Sequence, residues 1–494
     1  RYAYIAADPF RVITAAKGGT TVDGCPAAGD PFQVLEHQLK MFQMGNDPDL
    51  PPFQGGAVGY LGYELGRHLE RLPPPPEAGL DVPELLIGLY DTIAAFDVRT
   101  RHAWILAAKL EAADGTLVRP LPVARAEAMA ARIADAPPLP PVDWRPAGSW
   151  RPELSRRHYE DMVSRAITYI HAGDIFQANL TQRLLGALPK GLSPFMLYRR
   201  LRALSPAPFG AYLAAGSGVA IASASPERFL KLTPGGHVST RPIKGTRPRG
   251  RTPSEDAKLA RDLFESEKDQ AENLMIVDLM RNDLSRIAVP GSVRVKEPFK
   301  VESFPTVHQM VSTVHAQMKP GTGLAQIVAA LFPSGSITGA PKIRAMEIID
   351  RLERDARGAY CGAIGAFDAD GSASFNVAIR TLRLTPTENG HGTAVLGVGA
   401  GIVADSDSLG EWREAQIKAG FARASSPESR APSFDLIETM RFDPEEGVPL
   451  LEGHLARISA SASELGFAFD RHAARNQIQA LCGNMYGDMG MWGI

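Results

Sequence analysis

Asp269-Gln-Ala-Glu-Asn-Leu-Met-Ile-Val-Asp-Leu-Met-Arg-Asn-Asp283 reads as helix with an acidic start and an apolar body. A spacing of three sets Asp269 and Glu272 on one face. Leu274–Met280 is heavily apolar, so most of this helix is expected to be buried. Glu411-Trp-Arg-Glu414 repeats the acidic spacing on a second helix, with Lys418 one turn on. Two such faces, if they meet, make an oxygen-only site for a hard cation such as Mg²⁺. Taken singly, such an acidic pair on a helix is usually a solvated face.

Outward from this stretch, helices and strands alternate between residues 150 and 426. Helices are expected at Ser155–Ala172, from Ser254 to about Ile287 with Ser254 as cap, at Pro341–Arg354 and at Ser408–Ala424. Strands are expected at Gly218–Ala224, Arg228–Leu232, Ala359–Asp368, Ser374–Arg380 and Ala394–Val403. Residues 1–135 form an N-terminal region, with a strand at its start, a turn-rich piece at Gly55–Glu64 and helical spacing at Pro122–Ala134. A proline-rich connector at 136–146 divides the two regions. A polar linker at 427–433 precedes a new pattern at 434–494: a strand at Phe434–Met440, a helix at Leu451–Leu465, and a last dozen residues without periodicity that read as a truncation. The start at Arg1 reads as lacking the natural N-terminus.

The chain has 494 residues, enough for about two to four domains. Its net charge of −2 argues against partners bound through bulk charge, so neither nucleic acid nor a membrane surface is expected. No apolar run approaches the ~18–20 residues of a membrane span. Cys25, Cys361 and Cys482 are dispersed, which excludes a disulfide framework and points to a reducing, cytoplasmic compartment.

Three further segments hold candidate chemistry. In Arg241-Pro-Ile-Lys-Gly-Thr-Arg-Pro-Arg249 one lysine, Lys244, sits in a stiff frame among arginines. Positive neighbours or burial would lower its pKa and expose a nucleophilic amine, although a basic surface loop has the same composition. Ser225-Pro-Glu227 lies one hairpin upstream and would return a general acid/base to the same place. Phe332–Arg344 is a small-residue loop running into a helix; its free N–H groups, with Thr338 and Lys342, suit an anion, and a plain capped turn would look alike. Gly397-Val-Gly-Ala-Gly401 is either a backbone cradle or a tight turn. Arg380 suits a bidentate carboxylate contact, or the surface.

Ser225-Pro-Glu-Arg-Phe, the Lys244 segment, Ala271–Asp283, Ser336-Ile-Thr-Gly-Ala-Pro-Lys342 and Gly399–Ser406, in this order, resemble the chorismate-utilising enzymes over about residues 1–426. The resemblance implies an α+β fold, with large β-sheets flanked by helices as in anthranilate synthase component I. Two positions are diagnostic within the family. Gln177, in Gly173-Asp-Ile-Phe-Gln177, stands where water-using members carry a lysine base. Lys244 stands where anthranilate synthases carry alanine, and a lysine marks the aminodeoxychorismate synthase branch; anthranilate synthase is the alternative. A magnesium-dependent amination of chorismate is thus implied, of the amidotransferase class, leading to p-aminobenzoate and folate.

The same resemblance assigns roles. Mg²⁺ on Glu272 and Glu414, with Asp269 and Glu411 acting through waters, would hold the ring carboxylate; Gly399, Gly401 and Lys418 would complete that end. Tyr360 and Arg380 would hold the enolpyruvyl carboxylate, and Thr338 the ring. Lys244 would attack C2, Glu227 would protonate the departing C4 hydroxyl, and ammonia would displace the lysine. His308 is either a contact near that hydroxyl or a packed polar histidine. No Gly-x-Cys-x-Gly elbow is present, so a separate glutamine amidotransferase is the implied ammonia source. Phe434–Arg441 and Leu451–Arg457 resemble the start of a fold-type IV pyridoxal-phosphate lyase, with Arg457 at the phosphate position. The Schiff-base lysine would lie beyond Ile494, so neither pyridoxal phosphate nor lyase activity is expected of this chain. The resemblance suggests a synthase–lyase fusion.

Overall fold

The strand Gln177–Leu188 pairs along its length with Gly392–Ile402, from Ala178 opposite Ile402 to Leu188 opposite Gly392. Side chains alternate across a strand. The even-numbered Leu180, Leu184, Ala394, Leu396, Val398, Ala400 and Ile402 all enter one apolar cluster. The odd-numbered Asn179, Thr181 and Arg183, opposite Gly401, Gly399 and Gly397, therefore line the other face, together with Gln177, which pairs with Ala340. That face forms one wall of the candidate site.

The computed structural model describes residues 1–17, 19–41, 46–74, 82–110, 118–142, 150–188, 190–216, 218–250, 252–386, 392–420, 437–443, 447–465 and 469–489. A seven-stranded sheet runs in the order Phe209–Ala214, Ala220–Ser225, Thr381–Pro386, Gly392–Ile402, Gln177–Leu188, Gly339–Ala340, with Arg151–Pro152 beside Gln177–Leu188. The helices Arg156–His171, Pro194–Leu204, Lys342–Leu352 and Ser408–Lys418 bury apolar residues against its even-numbered face. A twelve-stranded sheet contains Ile243–Pro248, Arg228–Leu232, Ala373–Val377, Ala363–Asp368 and Gly56–Leu61. The helices Pro31–Lys40, Glu267–Ser285 and Leu324–Leu331 pack into its core through Phe32, Ile276, Met280 and Leu331. Each fully buried Leu or Ile contributes roughly 1.5–3 kcal/mol, so these clusters outweigh the exposed ion pairs. A three-stranded sheet, Tyr2–Ala6, Thr92–Asp97 and His102–Ala107, lies beside the helix Pro122–Ala134.

Gly56–Leu61 pairs with Ala363–Asp368, Ala57 opposite Phe367. The boundary expected at 136–146 therefore separates stretches of chain, not sheets. Gly55–Glu64 is not mainly turn: Gly56–Leu61 is a strand and Tyr63–Leu65 a 3₁₀ turn. The helix expected from Ser254 to Ile287 is two helices. Thr252, not Ser254, caps Pro253–Phe264, its hydroxyl accepting the Glu255 N–H at 3.2 Å. Ser266 caps Glu267–Ser285, accepting the Asp269 N–H at 3.3 Å. A serine that prefers the extended cap conformation splits an otherwise helical run. Ser155 and the helix beyond it stand as expected, and so do Pro122–Ala134 and Leu451–Leu465. Ile437–Met440 is not strand, and the linker 427–433 lies outside the described residues. The aperiodic last residues are helical as far as Met489. Arg457 is paired with Glu438. Among the described residues no helix is long and apolar enough to cross a membrane, and all three cysteines are free thiols.

Ser266→Ala is expected to cost about 1 kcal/mol and to lower the urea midpoint, whereas Ser254→Ala stays within about 0.5 kcal/mol. Urea unfolding followed by circular dichroism checks both.

Candidate active site

Lys244 is carried on Ile243–Pro248, just after Pro242, and reaches from the twelve-stranded sheet to the seven-stranded one. A Cβ built on Gly401 would lie 2.9 Å from Lys244 Nζ and 2.8 Å from Gln177 Nε2. The amine, the amide and the bare backbone of Gly401 thus converge on one point. Gln177 is fully buried, and neither end of its amide has a hydrogen-bond partner. Buried amides are almost always paired, so this exception, meeting the Lys244 amine at Gly401, is a candidate ligand contact.

Gly397, Gly399 and Gly401 lie in the middle of a strand, not in a turn. A Cβ on Gly397 would strike the Tyr360 ring at 2.1 Å, and one on Gly399 the Leu180 carbonyl at 2.1 Å. Tyr360 also lines a small pocket with Thr181, Glu353, Arg357 and Gly397.

Desolvation pushes the Lys244 amine below its ordinary range, although Glu272, Glu227 and Glu414 partly counter it. Glu227 is 4% exposed, and burial pushes its carboxyl up to about 7 despite hydrogen bonds from the Ser336 hydroxyl and the Ile243 N–H. The Glu227 N–H itself donates to Ser225 Oγ at 3.2 Å. Burial biases the amine toward neutral and the carboxyl toward protonated, which suits the roles of nucleophile and acid.

The acidic faces lie within electrostatic reach of each other. Desolvation raises Glu272, with Asp269 and Glu414 adding to it. Desolvation likewise raises Glu411, against the Ser406 hydroxyl at 2.7 Å. Glu414 is also desolvated, yet the Lys418 ammonium at 2.7 Å holds it below the ordinary range. Asp269 accepts Arg247 at 2.7 Å. Among the described residues no three such groups are closed into a ligand set. The donors are all carboxylate oxygens, and two of them are short of positive charge. That chemistry fits a hard cation.

Lys418 also donates to the Gly399 carbonyl at 3.0 Å. Thr338 is fully buried, donating to the Ser334 carbonyl at 3.1 Å. Arg380 lies beyond Ala373–Val377, not at a strand's end, in a left-handed backbone (φ 50°). Such a conformation costs of order 1–3 kcal/mol and gathers at functional sites. Burial depresses its pKa, and its guanidinium donates to Ser205 Oγ at 3.2 Å.

Two candidates are committed elsewhere. Lys342 Nζ lies 2.6 Å from Asp283 and donates to the Leu331 carbonyl at 3.1 Å, so its charge ties helices together and does not serve an anion. Pro341, the expected first helical residue, is the N-cap of Lys342–Leu352, so the helix begins one residue later than expected. His308 uses both ring nitrogens, on Ser303 Oγ at 2.8 Å and Asp256 Oδ1 at 2.9 Å, which is the packed alternative. The Arg249 guanidinium holds that Asp256 carboxyl well below the usual range. Sequence reasoning missed Glu353 and Arg357, and it read Ser336 only as part of the loop before Lys342.

The chorismate binding enzyme family matches residues 1–424. Aminodeoxychorismate synthase component 1 of Salmonella typhimurium is 39% identical over 435 residues, covering 84% of this chain and 87% of that protein. Anthranilate synthase component 1 of Streptomyces coelicolor is 41% identical over 401 residues, covering 79% and 76%. The crystal structure of anthranilate synthase component I from Streptococcus pneumoniae superposes with a TM-score of 0.75 at 31% identity, covering 86% of this chain and 92% of that one.

Gly401→Ala is expected to displace Lys244 or Gln177 and to cut turnover of chorismate roughly 10²-fold with an unchanged circular dichroism spectrum. Steady-state assay of the purified variant checks this.

Proposed function

The chain belongs to the chorismate binding enzymes, and from that premise we propose that it is the chorismate-aminating component of an aminodeoxychorismate synthase. The observation that carries the reading is the meeting of Lys244 Nζ with Gln177 at Gly401. Several aminodeoxychorismate synthase component 1 relatives support this reading, with anthranilate synthase the weaker alternative, and the lysine at 244 supports it too.

On this reading the neutral Lys244 amine forms a bond to C2 of chorismate as the ring double bonds shift and the C4–O bond breaks. Glu227 gives its proton to the leaving oxygen, which departs as water. Ammonia then bonds to C4, the double bonds shift back, and the C2–N bond to Lys244 breaks. The product is 4-amino-4-deoxychorismate, a precursor of p-aminobenzoate and folate. Tyr360 and Arg380 hold the enolpyruvyl carboxylate. The Gly399–Gly401 backbone and Lys418 orient the ring carboxylate, and Thr338 shapes the wall beside the ring. Glu272 and Glu414, with Glu411 and Asp269 further out, would hold Mg²⁺, whose charge would neutralise the ring carboxylate when bound. A cytoplasmic glutamine amidotransferase partner supplies the ammonia. Residues 434–494 are proposed as the start of a lyase-like segment.

Chorismate, Mg²⁺ and ammonium should yield aminodeoxychorismate without stoichiometric pyruvate, resolved by chromatography and mass. Anthranilate with pyruvate would refute the assignment. Lys244→Ala is expected to lose most of the para-amination or to divert it to the ortho product; an unchanged rate and product would exclude the nucleophile. The rate should fall as the pH rises above about 7, where Glu227 loses the proton it must give. Glu227→Gln should lower kcat roughly 10²–10⁴-fold and remove the alkaline limb, read from a pH–rate profile.

A further inference from the structure

The stretch Gly55–Glu64 ends in a carboxylate that the proposed reaction does not use. Glu64 is 2% exposed. Its Oε1 accepts the Arg357 backbone N–H at 2.8 Å and its Oε2 that of Gly358 at 3.0 Å. The Tyr63 N–H donates to the Gly358 carbonyl at 2.8 Å, and the Tyr63 ring lies 4.4 Å from the Arg357 guanidinium. The N-terminal region thus grips a turn that runs on into Tyr360.

Arg357 is itself a hub. Its buried guanidinium pairs with Glu353 at 2.7 and 2.9 Å and donates to the carbonyls of Ile337 at 2.8 Å and Asn179 at 2.7 Å. Glu353 in turn accepts the Thr181 N–H at 2.8 Å and its hydroxyl at 3.0 Å. Each tied segment carries a site residue close by in sequence: Gln177 before Asn179, Thr338 after Ile337, Tyr360 after Arg357. Cys361, next to Tyr360, takes a left-handed backbone (φ 63°), a conformation that lasts only where its surroundings enforce it.

We propose that Glu64 is a positioning residue for chorismate: by holding the Arg357 and Gly358 N–H groups, it sets the turn that aims Tyr360 and keeps Arg357 on the other two walls. The proposal rests on the functional reading above, in which Tyr360 holds a substrate carboxylate. Burial pushes the Glu64 carboxyl up to about 7, a cost that the surrounding donors only partly offset. Without the carboxylate, two buried N–H groups lose their acceptor and the turn must move to find others. Tyr360 would contact a carboxylate that is present in ground and transition states alike. Its displacement therefore weakens binding more than it slows chemistry.

The test is steady-state kinetics of the full chain with saturating ammonium and Mg²⁺ and varied chorismate, read as chorismate consumed. Glu64→Ala is expected to raise KM for chorismate roughly tenfold with kcat within about threefold of wild type. Glu64→Gln keeps one acceptor oxygen and should recover part of that loss. A KM within about twofold of wild type in both variants overturns the proposal, and so does a loss confined to kcat that follows the folded fraction by circular dichroism. Should Glu64→Ala fail to fold, Glu64→Gln decides by its KM. Consumption is read, not product, so a wild type that makes anthranilate would refute the amination reading and leave the Glu64 comparison intact.

Discussion

Lys244 can stand between the two sheets because position 401 has no side chain. A methyl group there would occupy the space of both the lysine amine and the Gln177 amide, at 2.9 and 2.8 Å. The same rule holds along the strand, where Gly397 makes room for the Tyr360 ring. Glycine in a strand interior weakens the strand, and the usual reason to keep it is the close approach of something else. Here two of them, at 401 and 397 of Gly392–Ile402, leave room for the Lys244 amine and the Tyr360 ring, and Gly399 admits the close backbone of the neighbouring strand.

That closeness also sets the electrostatics. Burial acts on the amine and on the carboxyl in opposite directions, biasing Lys244 toward neutral and Glu227 toward protonated. The protonation states needed for attack and for departure therefore arise from one cause, exclusion of water from the space between the sheets. The acidic faces of Glu267–Ser285 and Ser408–Lys418 are desolvated by the same packing, and their raised carboxyls, Glu272 and Glu411, mark where positive charge is wanted. The Glu64–Arg357–Glu353 network stands behind this arrangement, joining the strand before Asn179, the turn before Thr338 and the turn before Tyr360 through charge-assisted bonds.

Much of this was legible in the sequence, for identifiable reasons. Helices with a serine or proline start, such as Arg156–His171 and Pro122–Ala134, follow local capping rules, so their limits were readable. The Lys244 and Glu227 segments were distinctive because stiff residues frame them. Ser266 was hidden although its cap is local, because it looks like any polar residue within a helical run. The rest of what was hidden depends on long-range geometry. The glycines of 397–401 suggest a turn locally and belong to a ladder only because Gln177–Leu188 lies opposite. Lys342 and His308 looked available because their partners, Asp283 and Asp256, lie far away in sequence. Glu64 drew no attention because its partners lie almost three hundred residues on.

The central claim is that Lys244 bonds to the substrate. Its most direct test is peptide mass mapping of the chain quenched during turnover of chorismate with ammonium withheld. A mass gain of chorismate less water on the peptide bearing Lys244 is the predicted result. The same gain on another residue, or its absence from a chain that goes on to make aminodeoxychorismate when ammonium is restored, would contradict it.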